Sequence, residues 1–354
     1  MPKWWTKRVR LTASAAVVVA TISAAVITLV VTGDADSEAD GVKVIRPEGA
    51  ASCEVVKLDS PDSGSPVLPE GVSPEGEYII GDATGASGLP GLWRDGKPIR
   101  FTGLDKSLSH EVSDVTDSGA VVGTTTSGGE DESVLGWRWE DDRVRELSEN
   151  WATPTAIDEG GTIIGERSDG ELVKWDEAKG KTSTITLEVD DDMYATLNDV
   201  SEDGVMVGRQ EDGGSEGEFD PYQQARIWDG KGKGRNVPLD GSVRSQVVDI
   251  SGDWVLIRHD QGEFRWNITG EDRPEKLDGI LAQAIDGSGN VYGTLERGKD
   301  SLPGLYDGEL RPLPVLGGVD EHGPASDSAV SAVSADGSVL AGDWKGNPVM
   351  WSCG

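Results

Sequence analysis

Seven times along this chain a tight-turn glycine, a few apolar residues and usually a second glycine precede a segment centred on an aromatic residue. The turn glycines are Gly76, Gly119, Gly161, Gly204, Gly252, Gly289 and Gly337, and their aromatic partners are Trp93, Trp139, Trp175, Trp228, Trp266, Tyr306 and Trp351. The spacing averages about 43 residues. A period of this length built from short strands marks a β-propeller, with one four-stranded blade per repeat.

The second unit shows the plan. Glu111–Val115, a turn at Asp117-Ser-Gly119, Ala120–Thr125, Val134–Trp139, a turn at Glu140-Asp-Asp142, and Arg143–Leu147 read as four strands joined by turn residues. The first strand is expected innermost, along the central channel, and the fourth outermost. The first glycine supplies a positive φ in the hairpin. The second is expected to let neighbouring blades approach, and the tryptophan to bury a large apolar surface between sheets. Trp151, Trp254 and Trp344 lie outside the repeated position and are the candidates for exposure, Trp254 less so because its strand is apolar.

The last unit stops after three strands, Ser331–Val333, Gly337–Gly342 and Pro348–Trp351. Cys53–Leu58, ahead of the first full unit, has the length and polarity of an orphan outer strand. Placed beside Val349–Cys353 it completes the seventh blade. The only two cysteines, Cys53 and Cys353, then meet where a covalent turn joins the strands of every other blade, and a disulfide is expected there.

The core pattern (Asn/Asp)-(Val/Ile)-x-x-x-Gly-x-(Val/Ile)-(Val/Ile)-Gly followed by an Ala/Gly-x-x-Trp strand resembles the extracellular HAF-repeat proteins of bacteria. Asn198–Gly208 with Ala225–Trp228, and Ser113–Gly123 with Gly136–Trp139, carry it best. The resemblance spans residues 53–354 and implies a propeller-like fold with no catalytic residue. The fifth unit departs, with Ile257 in place of the second glycine, which is expected to tilt that blade. Trp175-Asp176 and Trp228-Asp229 are similar to the Trp-Asp pair of WD-repeat proteins, but the Gly-His half of that signature is absent.

Ahead of the repeats, Lys3, Lys7, Arg8 and Arg10 precede Leu11–Thr32, which carries no charge. A basic flank before an apolar run reads as an export signal, and this run suffices to cross a bilayer as a helix. The expected organisation is a signal-anchor or signal-peptide helix in 1–32, an extracellular polar linker in 33–52 and a propeller in 53–354. The N-terminus would be cytoplasmic and the propeller outside the cell membrane. Cleavage of the leader would instead give a secreted protein. The net charge is −32, so residues 33–354 without the four basic residues of the leader carry −36. That balance excludes nucleic acid as a partner, since phosphate binding needs a basic footprint.

No nucleophile motif, phosphate loop or EF-hand spacing occurs, and His110, His259 and His322 are too scattered for a triad or metal pair. The longest loops lie on the second-to-third-strand and blade-to-blade connections, which share one face. They carry the candidate binding residues Asp131, Asp190, Asp191, Asp192, Asp212, Asp220, Asp320 and His322. The reading is a non-catalytic extracellular module that binds a protein, peptide, cation or cell-envelope ligand through this face. No cofactor is implied, and Ca²⁺ is the ion such loops would suit. The alternative is a carboxylate-dependent glycoside hydrolase or polysaccharide lyase at the channel mouth, for which Asp114, Asp199 and Asp249, at the ends of inner strands, are the first residues to inspect. Their simpler role is to bond neighbouring strand backbones.

Overall fold

A computed structural model describes residues 38–39, 42–61, 67–84, 88–127, 133–147, 151–167, 170–176, 180–212, 222–239, 244–270, 273–297, 300–318 and 329–354. Each repeat unit folds into an antiparallel four-stranded sheet, and seven such sheets make an all-β propeller. The inner strands of blades 1 to 7 are Val67–Val72, Ser109–Val115, Trp151–Ile157, Met193–Val200, Ser245–Ser251, Ile280–Ile285 and Val330–Val333. No described helix is long and apolar enough to cross a membrane, and the anchor expected in 1–32 lies outside the described residues.

The seventh blade is completed from both ends of the chain. Cys53–Lys57 pairs antiparallel with Asn347–Cys353 in the register Cys53↔Cys353, Val55↔Trp351 and Lys57↔Val349. The two cysteines are disulfide-bonded across 300 residues of sequence, with Cα atoms 4.2 Å apart. Within the segment read as a polar linker, Val42–Ile45 is a strand that pairs with Val315–Gly317. Val44 and Ala51 are buried in the core shared by blades 6 and 7.

The aromatic residues hold one register throughout. Trp93 faces Ile79, Trp139 faces Val121, Trp175 faces Ile163 and Trp228 faces Met206 across the middle pair of strands. Trp266, Tyr306 and Trp351 face Val255, Val291 and Leu340 in the same way. Besides burying area, three indoles tie one blade to the connection leaving the previous blade. Trp93 Nε1 donates to Asp59 O at 2.7 Å, Trp228 Nε1 to Glu188 O at 2.8 Å and Trp351 Nε1 to Pro314 O at 2.7 Å. Trp344, expected to be exposed, is buried and donates to Leu316 O at 2.7 Å.

Every inner strand carries a β-bulge, and the bulge explains the second glycine. The register slips by one residue at Glu70, Ser113, Thr155, Asn198, Val248, Gln283 and Ser331 in blades 1 to 7. The glycine opposite receives a carbonyl of its own blade's inner strand. A Cβ on Gly208 would stand 2.1 Å from Thr196 O, and one on Gly123 would stand 2.3 Å from Glu111 O. The close approach is therefore within a blade, not between blades as the sequence led us to expect. Ile257 keeps the same register with the bulge in place and is fully buried against blade 4.

Hydrophobic clusters fill six of the seven blade interfaces: 7/1, 1/2, 2/3, 4/5, 5/6 and 6/7. Among the described residues none spans blades 3 and 4.

Two stability predictions follow from this geometry. Replacing Cys353 by Ser frees a loop of 300 residues; urea unfolding should show a loss of roughly 5 kcal/mol on loop-entropy grounds. An unchanged midpoint would mean that the strand pairing alone holds the ring shut. Gly208→Ala should cost about 1–3 kcal/mol through overpacking at the bulge, read as a lower melting temperature, and an unshifted melt would contradict that close approach.

Candidate functional site: an acid-lined channel

The bulges turn the ends of the inner strands toward the axis, where they enclose a channel of about 1360 Å³. Among the described residues eleven carboxyl groups line it against one ammonium group, Lys174. Glu70, Asp114, Asp199 and Asp249 stand on the inner strands. Glu75, Asp117, Asp158, Glu159, Glu202, Asp203 and Asp336 come from the hairpins that follow those strands, so the mouth opens on the hairpin face.

The inner aspartates staple the blades together. Asp114 Oδ1 accepts from Val115 N at 2.7 Å, and its Oδ2 from Ile157 N of blade 3 at 2.8 Å. Asp199 repeats this with Val200 N at 2.7 Å and Ile250 N of blade 5 at 3.1 Å. Asp249 Oδ2 accepts from Ile285 N of blade 6 at 2.8 Å. Asp82, one strand further out, accepts from Val112 N of blade 2 at 2.8 Å. The bonding role that the sequence offered as the simpler one is thus observed for all three inner aspartates.

These carboxyls hold protons unusually well. Burial pushes Asp114 up to about 7 against the pull of its two backbone donors, with Glu159 adding to the rise. Burial, with Asp82 and Asp343 nearby, lifts Glu70 to about 7. Asp82 rises to about 6, again chiefly by burial. Asp199 and Asp249 are hydrogen-bonded to each other. Burial and the charge of Asp249 raise Asp199 well above the usual range, and Asp249 is raised less because Asp199 and backbone N–H groups donate to it. The two carboxyls titrate as a pair rather than as separate groups.

The loop acids expected to bind ligands occupy other places. Asp190 is tied down: its Oδ1 accepts from Arg226 Nη1 at 3.1 Å and its Oδ2 from Gln210 Nε2 at 2.7 Å, which holds it below the ordinary carboxylate range. Asp212 Oδ1 accepts from Tyr222 N at 3.1 Å and closes the base of its loop. Asp191 and Asp192 are exposed at the start of the blade 4 inner strand, the end remote from the channel mouth. Asp131, Asp220, Asp320 and His322 lie outside the described residues. His110 is buried between Thr125 Oγ1 and Asp105 O, each at 2.8 Å, and His259 packs edge-on against Phe264. Among the described residues no three His, Cys, Asp or Glu side chains group to hold a metal.

Sequence reasoning took the hairpin acids only as turn formers and passed over Glu70. The usable signal was positional. An acid recurs one or two residues before the turn glycine in blades 1 to 4 and 7, and each of these acids lines the channel.

No family model matches the chain, and no curated protein matches it. Solved structures do. A chain in the crystal structure of the mitotic checkpoint complex aligns over 91% of this chain and 96% of its own length, with a TM-score of 0.53 and 14% identity. The extracellular domain of a protein described as a one-component system, from B. thetaiotaomicron, aligns over 85% of this chain with a TM-score of 0.52 and 14% identity. This chain spans 40% of that second protein's length. At such identity the likeness establishes the seven-bladed propeller fold.

The raised carboxyls set the direction of the pH dependence. A group with a higher pKa folded than unfolded adds stability that is complete below the unfolded value and lost as pH rises through the folded one. Glu70, Asp82 and Asp114 therefore favour the fold near pH 4 and stop doing so by about pH 7. The melting temperature should fall between pH 5 and pH 8, and Asp114→Asn should flatten that slope. A melting temperature that climbs across this interval would show that the channel carboxyls do not retain their protons.

Proposed function

We propose that this protein is a non-catalytic binding module on the outside of the cell, and that it receives a basic protein or peptide segment at the hairpin-face mouth of its channel. The observation that carries this reading is the mouth, where seven hairpin acids ring a channel of about 1360 Å³ whose described lining has one lysine; the four inner-strand carboxyls, inclined to keep their protons, add less charge. A concave site walled by one sign of charge concentrates its field and draws in the opposite sign. The site differs from the long acidic loops favoured on sequence grounds: Asp190 and Asp212 accept internal bonds, as do Asp117, Asp158, Glu159 and Asp336, but only the hairpin acids converge on one mouth.

An external address is supported by the disulfide, which persists in oxidising compartments. The basic-then-apolar leader of 1–32 supports it as well, either as an anchor or as a cleaved signal. The HAF-like repeat pattern and the likeness to an extracellular domain agree.

Glycan hydrolysis fits the geometry less well. Paired catalytic carboxyls stand about 5–9.5 Å apart, with room for a sugar or water between them. Asp199 and Asp249 are instead bonded directly to each other, and each also holds a backbone N–H of the next blade. They are committed to closing the ring.

The test uses the full chain in detergent and fluorescently labelled octalysine, read by anisotropy. Binding should weaken at least tenfold when salt rises from 50 to 500 mM, as expected for attraction between exposed charges. It should weaken about as much in the triple variant Glu159→Gln, Glu202→Gln, Asp203→Asn. Octalysine that fails to bind, or that binds the triple variant equally well, removes the channel mouth as the site.

A further inference from the structure

An arginine stands directly before the aromatic residue of strand three in two blades, Arg138 in blade 2 and Arg265 in blade 5. Strand alternation points each of them away from that aromatic and toward the following blade. In blade 5 the guanidinium closes the gap. Arg265 Nη1 donates to Gly289 O in the hairpin of blade 6 at 2.6 Å, and its Nε to Glu275 Oε2 at 2.8 Å. Trp254 and Tyr306 flank it, with ring centroids 5.5 and 4.9 Å from its central carbon.

Blade 2 keeps the arginine and leaves a space beside it. Arg138 and the hairpin of blade 3 line a pocket of about 350 Å³, within the size range of small-ligand sites. The Arg138 side chain is 7% exposed, and its Nη2 pairs with Glu140 Oε1 at 2.9 Å. Thr116 and Ser118 bring hydroxyls from the hairpin of blade 2, and Asp158 and Glu159 come from the hairpin of blade 3. Asp117 N donates to Glu159 Oε1 at 2.5 Å, which bridges the two hairpins. The channel lies on the inner side of that bridge and the pocket on its outer side, toward strand three. The pocket is a side chamber of the mouth.

Its walls are divided by charge. Among the described residues the strand-three wall holds the one guanidinium, and the hairpin wall holds Asp158 and Glu159. A ligand that fills the space does best with an anion at the first wall and a cation at the second. A segment that is basic throughout has one anion to offer, its terminal carboxylate. We propose that this pocket seats the C-terminal residue of the bound segment, a lysine or arginine whose α-carboxylate pairs with Arg138 and whose side chain lies against Asp158 and Glu159. The inference rests on the channel-mouth reading above and adds which end of the segment enters. A guanidinium carries five N–H donors in a planar fork that matches a carboxylate, enough to serve Glu140 and the ligand together. The hydroxyls of Thr116 and Ser118 add donors to the same carboxylate.

The experiment compares two octalysines on the full chain in detergent, both labelled at the N-terminus and read by anisotropy. One ends in a free carboxylate and the other in a carboxamide. The acid-walled channel alone favours the amide, which carries one more net positive charge. The pocket reverses that order, and the free acid should bind at least tenfold more tightly. Arg138→Gln should bring the ratio of the two affinities to one or below. Ser118→Trp, which fills the pocket from an exposed position, should do the same and serves if the glutamine variant does not fold. A preference below tenfold in the wild-type chain overturns the pocket and leaves the channel-mouth reading standing. Failure of both peptides to bind overturns the two together. A preference for the free acid that survives in either folded variant places the carboxylate elsewhere and overturns the pocket.

Discussion

Everything in this molecule depends on closing a ring whose sheets cannot be buried one at a time. Each blade has two faces, and each face is covered by a neighbour, so an open arc of seven blades would leave two apolar faces in water. The chain resolves this by placing its first repeat strand, Cys53–Lys57, against its last, Asn347–Cys353. Val55 and Trp351, paired across that junction, are buried in the core shared by blades 6 and 7. On the other side of the same blade, Leu58, Ala341, Trp93 and Ile79 share a cluster with blade 1. The disulfide joins the two strands of the seventh blade that no turn connects.

Closure alone does not hold the inner rim, where seven strands converge on water. A bulge interrupts each inner strand, and in six of the seven blades a glycine opposite makes room for the displaced carbonyl. The rim is then tied by carboxylates rather than by apolar contact. Asp114, Asp199 and Asp249 each bond a backbone N–H of the following blade. Several carboxyls crowded along a channel wall repel one another, and that repulsion, with burial, keeps protons on them at pH values where surface aspartates have none.

The repeats, the strand order, the borrowed strand and the cysteine pairing were legible in the sequence because each follows from period or from position at a chain end. The place of Trp93, Trp228 and Trp351 between blades was legible for the same reason. The purpose of the second glycine was not. A bulge shifts the alternation by one residue, so Val112 and Val115, or Val247 and Ile250, face the same neighbour three residues apart, and in strands this short that spacing is easily read as irregular. The candidate site was half legible. Asp114, Asp199 and Asp249 stood out at strand ends, but the hairpin acids looked like turn residues, and turn residues they also are. Asp190 misled because its partners, Arg226 and Gln210, lie 36 and 20 residues away, a distance that composition cannot see.

The interface between blades 3 and 4 is held differently from the rest. Blade 4 turns Met206 and Trp228 toward blade 3, and both are fully buried, but polar side chains stand beside them. Lys174 and Thr162 face outward from blade 3, while Arg226 and Gln210 are buried in blade 4. A buried arginine needs every available acceptor, and Arg226 draws Asp190 from the connection between the blades and Asn236 from the outer strand. That network fixes the rim of the interface in place of a hydrophobic cluster. At the inner rim Ala156 stands where Asp114, Asp199 and Asp249 bond the next blade, and Gly71, Ala284 and Ala332 hold the same place in blades 1, 6 and 7. The inner-strand aspartates therefore tie three of the seven interfaces, and the others close by different means.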